Sequence, residues 1–93
     1  MTAYEVIITN DAQKDIDFLE KSEAAAFRKV SALTEELSEH PRTGTGKPEQ
    51  MKYGRFKGLW SRRITDKHRL VYAIHDKIVT VYVLAARGHY DDK

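Results

Sequence analysis

Ninety-three residues are read as one domain, 1–93, with no room for a second core. The hydrophobic fraction of 41% and charged fraction of 32% fit a globular chain rather than a disordered one, and the lack of cysteine excludes a disulfide scaffold or thiolate metal site. The net charge of +2 conceals a division: residues 1–40 carry nine Asp/Glu against four Lys/Arg, and residues 41–90 eleven Lys/Arg against three Asp/Glu. A basic half of that kind suits a polyanionic partner, most often nucleic acid.

In chain order, "YEVIIT" (4–9) is short and β-branched, which predicts a strand. Asn10 reads as an N-cap with Gln13 completing a capping box, and Ala12, Ile16 and Leu19 recur at helical spacing, so a first helix is expected over 11–20. Ser22 is the expected cap of a second helix, whose Ala26, Phe27, Val30, Leu33 and Leu37 form an apolar stripe. "HPRTGTGKPE" follows as a loop rich in proline and glycine. "GLWSRRIT", "HRLVYAIH" and "KIVTVYVLAAR" then read as three strands, and the turns between them are too short for anything but antiparallel hairpins. The expected fold class is α+β: an N-terminal strand, then two helices packed on one face of an antiparallel sheet whose basic face is open. The longest apolar run, 78–86, falls short of a membrane span, and the N-terminus lacks a signal-peptide pattern, so a cytoplasmic chain without membrane contact is expected.

No phosphate-binding glycine loop, serine elbow or metal-ligand spacing is present, and no metal or cofactor is called for. Across residues 40–65 Glu49 is the sole carboxylate, facing Arg42, Lys47, Lys52, Arg55, Lys57, Arg62 and Arg63. Glu, Arg, Lys, His and Tyr suffice for RNA cleavage. A base removes the ribose 2′-OH proton, the oxyanion attacks the adjacent phosphorus, an acid protonates the departing 5′-oxygen, and cations stabilise the pentavalent transition state. Glu49 would be the base and His89 the acid, with Arg63, Arg69 and Lys52 around the phosphate and Tyr90 stacking on a base or donating to the phosphate. Arg62 and Lys47 join the candidate RNA contacts. Composition leaves simpler readings beside this one: Glu49 paired with Lys47 or Lys52, and His89 as an ordinary surface or core histidine.

"GTGKPEQMK", "LWSRRITDKHRLVY" and the near-terminal "HY" closely resemble the Txe/YoeB family of toxin–antitoxin toxins, within the RelE/ParE superfamily, from about Gly44 to Tyr90. The resemblance implies a RelE-like, microbial-ribonuclease-like domain. It implies a ribosome-dependent endonuclease that cuts mRNA in the A site to leave a 2′,3′-cyclic phosphate or 3′-phosphate. Its partners would be mRNA, the ribosome with its rRNA, and a cognate YefM/Axe-like antitoxin, with a homodimer left open. The family's catalytic glutamate falls on Glu49, its principal phosphate-binding arginine on Arg69, a supporting arginine on Arg63, its lysine on Lys52 and its terminal pair on His89 and Tyr90. The family pattern ends at the tyrosine, whereas this chain continues with Asp91, Asp92 and Lys93. A gyrase-directed toxin of the same superfamily and a non-catalytic binding module are the alternatives.

The resemblance carries a geometric demand. With a two-residue Asp66-Lys67 turn, Arg63 would face Leu70, and Arg63 and Arg69 would point to opposite faces of the sheet. Both reach one face only across an odd loop or a bulge.

Overall fold

The computed structural model describes residues 3–88, apart from the side chain of Arg55. Strand β1 (Glu5–Ile8) is followed by helices α1 (Asn10–Ser22) and α2 (Ala24–Leu37), then by strands β2 (Glu49–Gln50), β3 (Trp60–Arg63), β4 (Arg69–His75) and β5 (Thr80–Ala85). The five strands form one sheet in the order β1-β5-β4-β3-β2. Strands β2, β3, β4 and β5 pair antiparallel, as the short turns require, but β1 lies parallel to β5. The sheet is therefore mixed, which corrects the expectation of a wholly antiparallel one. No hairpin joins β1 to its neighbour, so turn length leaves its direction open, and two helices intervene before the chain returns to the sheet.

The two helices supply Ala12, Leu19, Ala26, Val30, Leu33 and Leu37 to a core completed by Ile64, Leu70, Tyr72, Val81, Val83 and Ala86. All of these are buried, so the apolar stripes read from the sequence are the core faces. The N-cap of α1 is Thr9 rather than Asn10. The Thr9 hydroxyl donates to Val83 O at 2.8 Å and accepts from Ala12 N, which ends β1 and starts the helix with one side chain. Gln13 bonds forward to Asp17 instead of closing a capping box. Ser22 is the last residue of α1, and Glu23 stands at the junction without a side-chain cap bond to α2.

Candidate active site

The loop leaving α2 is fastened before it reaches β2, and the fastener is Arg62. Neighbours on a strand point to opposite faces, so Arg63 is exposed while Arg62 turns to the helix side and is fully buried. Its Nε donates to Tyr72 Oη at 3.0 Å. One terminal nitrogen donates to the Glu36 carboxylate and to Thr45 O, the other to His40 O and Thr43 O. All five guanidinium donors are thus engaged. The Tyr72 hydroxyl in turn donates to Pro41 O at 2.8 Å, and burial pushes that hydroxyl above its usual pKa against the opposing bond from Arg62, so it keeps its proton. Glu36 also accepts from the Thr45 backbone N–H and hydroxyl. Burial raises the Glu36 carboxyl, but the bonds from Thr45 and Arg62 outweigh it and hold it below the ordinary range. Arg62 is therefore an anchor of the 40–45 loop, and its reading as an RNA contact is corrected.

Gly46 completes the docking. Arg63 N donates to Gly46 O at 2.8 Å, and a Cβ on Gly46 would stand 3.0 Å from Arg63 O with φ at +86°. Only glycine combines that approach with that backbone angle at little cost. Three residues on, Glu49 pairs with Ser61 across β2 and β3.

The hairpin parity then decides which arginines Glu49 meets. Arg63 pairs with Arg69 and Arg62 with Leu70, so three residues, Thr65–Lys67, span the closing pair Ile64 and His68. The loop is odd, as the resemblance demanded, and Arg63 and Arg69 share the open face with Ser61 and Glu49. Arg69 donates through Nε and Nη2 to Ser61 Oγ at 3.3 and 3.2 Å. Its Nη2 lies 3.6 Å from Glu49 Oε2, with the Arg69 side chain 14% exposed and that of Glu49 71%. That separation is an ion pair beyond hydrogen-bond length, so the carboxylate is oriented by charge while its lone pairs stay available. Arg69 keeps guanidinium donors that no acceptor among the described residues engages. The arrangement presents a proton acceptor beside an anion holder.

Arg63 stands at 3.6 Å from Asp66 in a highly exposed pair, a weak tie that leaves it available to an anion. Lys47 and Lys52 flank β2 and are exposed. Glu49 thus pairs with Arg69 and with neither lysine. His89 and Tyr90 lie outside the described residues, as does the Asp91–Lys93 tail. Among the described residues no group of three or more His, Cys, Asp and Glu side chains is placed to hold a metal ion. None of their helices is long and apolar enough to cross a membrane.

Residues 8–90 match the model of the YoeB-like toxins of bacterial type II toxin–antitoxin systems. The chain belongs to that family. It is 42% identical over 80 residues to a YoeB toxin of Mycobacterium bovis, covering 86% of this chain and 91% of that one. A YoeB/ParE toxin from Agrobacterium tumefaciens superposes with a TM-score of 0.82 at 32% identity, over 92% of this chain and 99% of that one. Staphylococcus aureus YoeB, solved as a dimer and in complex with YefM, superposes with TM-scores of 0.78 and 0.76 at 26% and 25% identity, in each case over 94% of this chain and 98% of that one.

Within this YoeB-like fold, sequence reasoning missed Ser61, Glu36 and Tyr72. The signal for Ser61 was present: it stands two residues from Arg63 in "WSRR" and so shares its face. Glu36 and Tyr72 gave no such signal, because both act through Arg62, whose facing depends on the hairpin register.

Proposed function

We propose that this YoeB-like toxin is an mRNA endoribonuclease that works on the ribosome by general acid–base catalysis. The observation that carries the reading is the placement of Glu49 Oε2 at 3.6 Å from Arg69 Nη2 on an open sheet face. Glu49 takes the 2′-OH proton, and Arg69, oriented by Ser61, holds the non-bridging phosphate oxygens as charge builds on them. Arg63, Lys52 and Lys47, all exposed, add positive potential. His89 protonates the departing 5′-oxygen and Tyr90 stacks on a base or donates to the phosphate, leaving a 2′,3′-cyclic phosphate or 3′-phosphate end. A site this exposed gains from a substrate presented rigidly, and the ribosomal decoding site supplies that presentation.

A YefM/Axe-like antitoxin is the proposed natural inhibitor in the cytoplasm. Support comes from the Staphylococcus aureus YoeB–YefM complex and from the basic character of residues 41–90, which suits an acidic chain competing with RNA. A homodimer is proposed on the likeness to the dimer of that same toxin.

The test is a reconstituted translation reaction on a defined message, with cuts mapped by primer extension and naked RNA with EDTA as control. Wild-type protein is expected to cut only translated message. Glu49→Gln is expected to lower kcat by about 10²–10⁴-fold while leaving the melting temperature unchanged. A folded wild-type protein that cuts nothing would reject the reading in favour of gyrase inhibition or simple binding.

A further inference from the structure

We infer that His68 is a positioning residue for the proposed reaction: it holds the backbone of Gly88, which immediately precedes His89 and Tyr90 in the sequence, and releases it when the imidazole is protonated. This rests on the RNA-cleavage reading for its consequence, but not for its geometry. Gly88 N donates to His68 Nδ1 at 2.9 Å, so Nδ1 must be bare and the ring proton must sit on Nε2. Nε2 faces the Glu23 carboxylate at 3.1 and 3.2 Å, and the His68 side chain is only 9% exposed. The next residue takes the carbonyl of the same glycine: Arg69 N donates to Gly88 O at 3.1 Å. Gly88 has φ of +87°, a turn that lets one residue offer its N–H to His68 and its carbonyl to Arg69.

The two residues before Gly88 are also gripped. Ala86 N donates to Asp15 Oδ2 at 3.0 Å, and the Arg87 guanidinium lies 4.0 Å from the centre of the Phe18 ring. The segment 86–88 is thus held residue by residue, ending beside the backbone of the arginine that faces Glu49. Within this grip His68 is the contact whose sense reverses with a proton: with Nδ1 protonated, two N–H groups face each other and the bond to Gly88 is lost. The bond to Glu23, already assisted by the carboxylate charge, survives and becomes an ion pair between two full charges. Of the charged groups near the ring, the Glu23 carboxylate at the helix junction faces Nε2, and Lys67 in the loop and Arg87 after β5 act on that same carboxylate; Arg69 follows His68 in the chain, and Asp15 on α1 binds the backbone two residues before Gly88.

Two substitutions and two readouts test this on the full chain. Asn in place of His68 keeps an acceptor at the Nδ1 position at every pH, whereas Leu fills the space without one. In amide NMR spectra from pH 5 to 8, the Gly88 resonance of the wild type is expected to move with the His68 titration and to stay fixed in His68→Asn. In the ribosome assay, His68→Leu is expected to lower kcat about tenfold with KM unchanged. His68→Asn should keep kcat within about threefold of wild type and lose the part of the pH profile that follows the imidazole. A Gly88 amide indifferent to the titration, or a His68→Asn profile identical to wild type, overturns the proposal. A merely structural histidine would lower the melting temperature of His68→Leu and leave kcat and profile alone, which also overturns it. Should the wild type cut no more than Glu49→Gln, the cleavage reading fails while the NMR result still decides the grip on Gly88.

Discussion

Arg62 and Arg69 sit on paired strands one register step apart, on opposite faces of the sheet. Arg62 is buried with five donors bound to protein acceptors, and it fixes a loop. Arg69 is pinned by one hydroxyl and faces a carboxylate too distant to hydrogen-bond. The same side chain serves as a structural bolt where its donors are saturated and as a candidate anion holder where they are not. Charge counting treats the two alike, although only one of them contributes to the surface potential that RNA would meet.

The strongest way to break this contrast is to exchange the consequences. Arg69→Ala should lower kcat by about 10²–10³-fold with little change in unfolding free energy. Arg62→Met should do the opposite, costing about 3 kcal/mol or more, since it strands the Glu36 carboxylate and three loop carbonyls. Urea titrations beside cleavage rates check both, and a destabilised Arg69→Ala with normal kcat would invert the assignment. Gly46→Ala acts on the junction between the two faces. Strain at φ +86° and the approach to Arg63 O should cost about 1–2 kcal/mol and shift Glu49, so stability and kcat should fall together.

The smallest effect is electrostatic. The Glu36 carboxyl lies below its ordinary value near 4.5, so its contribution to stability is fully present above that pH and is lost as pH falls through the lower folded-state value. Glu36→Gln should therefore flatten the acid limb of the stability curve below about pH 5 without abolishing it. Glu23, held low mainly by its bond to His68, and Asp76, held low by bonds from Arg42 and Tyr4, lose stability in the same direction and keep the remaining slope. Denaturation midpoints at pH 3, 4, 5 and 6 measure the difference.

The helices, their core faces and the β3–β4–β5 meander were legible because periodicity and turn length are local properties. The parallel pairing of β1 was not, since nothing near residues 5–8 encodes the strand they will join. Arg63 and Arg69 could share one face only across an odd loop or a bulge, and residues 65–67 supply the odd loop; that Glu49 joins them was visible only in the pairing of β2 with β3. Arg62 was misread for the converse reason: in "RR" both residues look like surface cations until the register says which one turns inward. The sequence counts the acidic residues of the helices only as charge, yet Asp15, Glu23 and Glu36 each bind a group from the far half of the chain. A carboxylate at the rim of an apolar stripe has no signature of its own until its partner is known.

The pairing of Glu5–Ile8 with Thr80–Val83 also sets an order of events during synthesis. The first strand to leave a ribosome has no neighbour until the last strand follows it, so closure of the sheet is a late, long-range step. A nascent chain that has reached only residue 79 contains the residues of both helices but lacks the strand partner of residues 5–8 and the core side chains of Val81 and Val83. The fold therefore assembles after almost all of these residues have been made, and with it the face that carries Glu49 and Arg69.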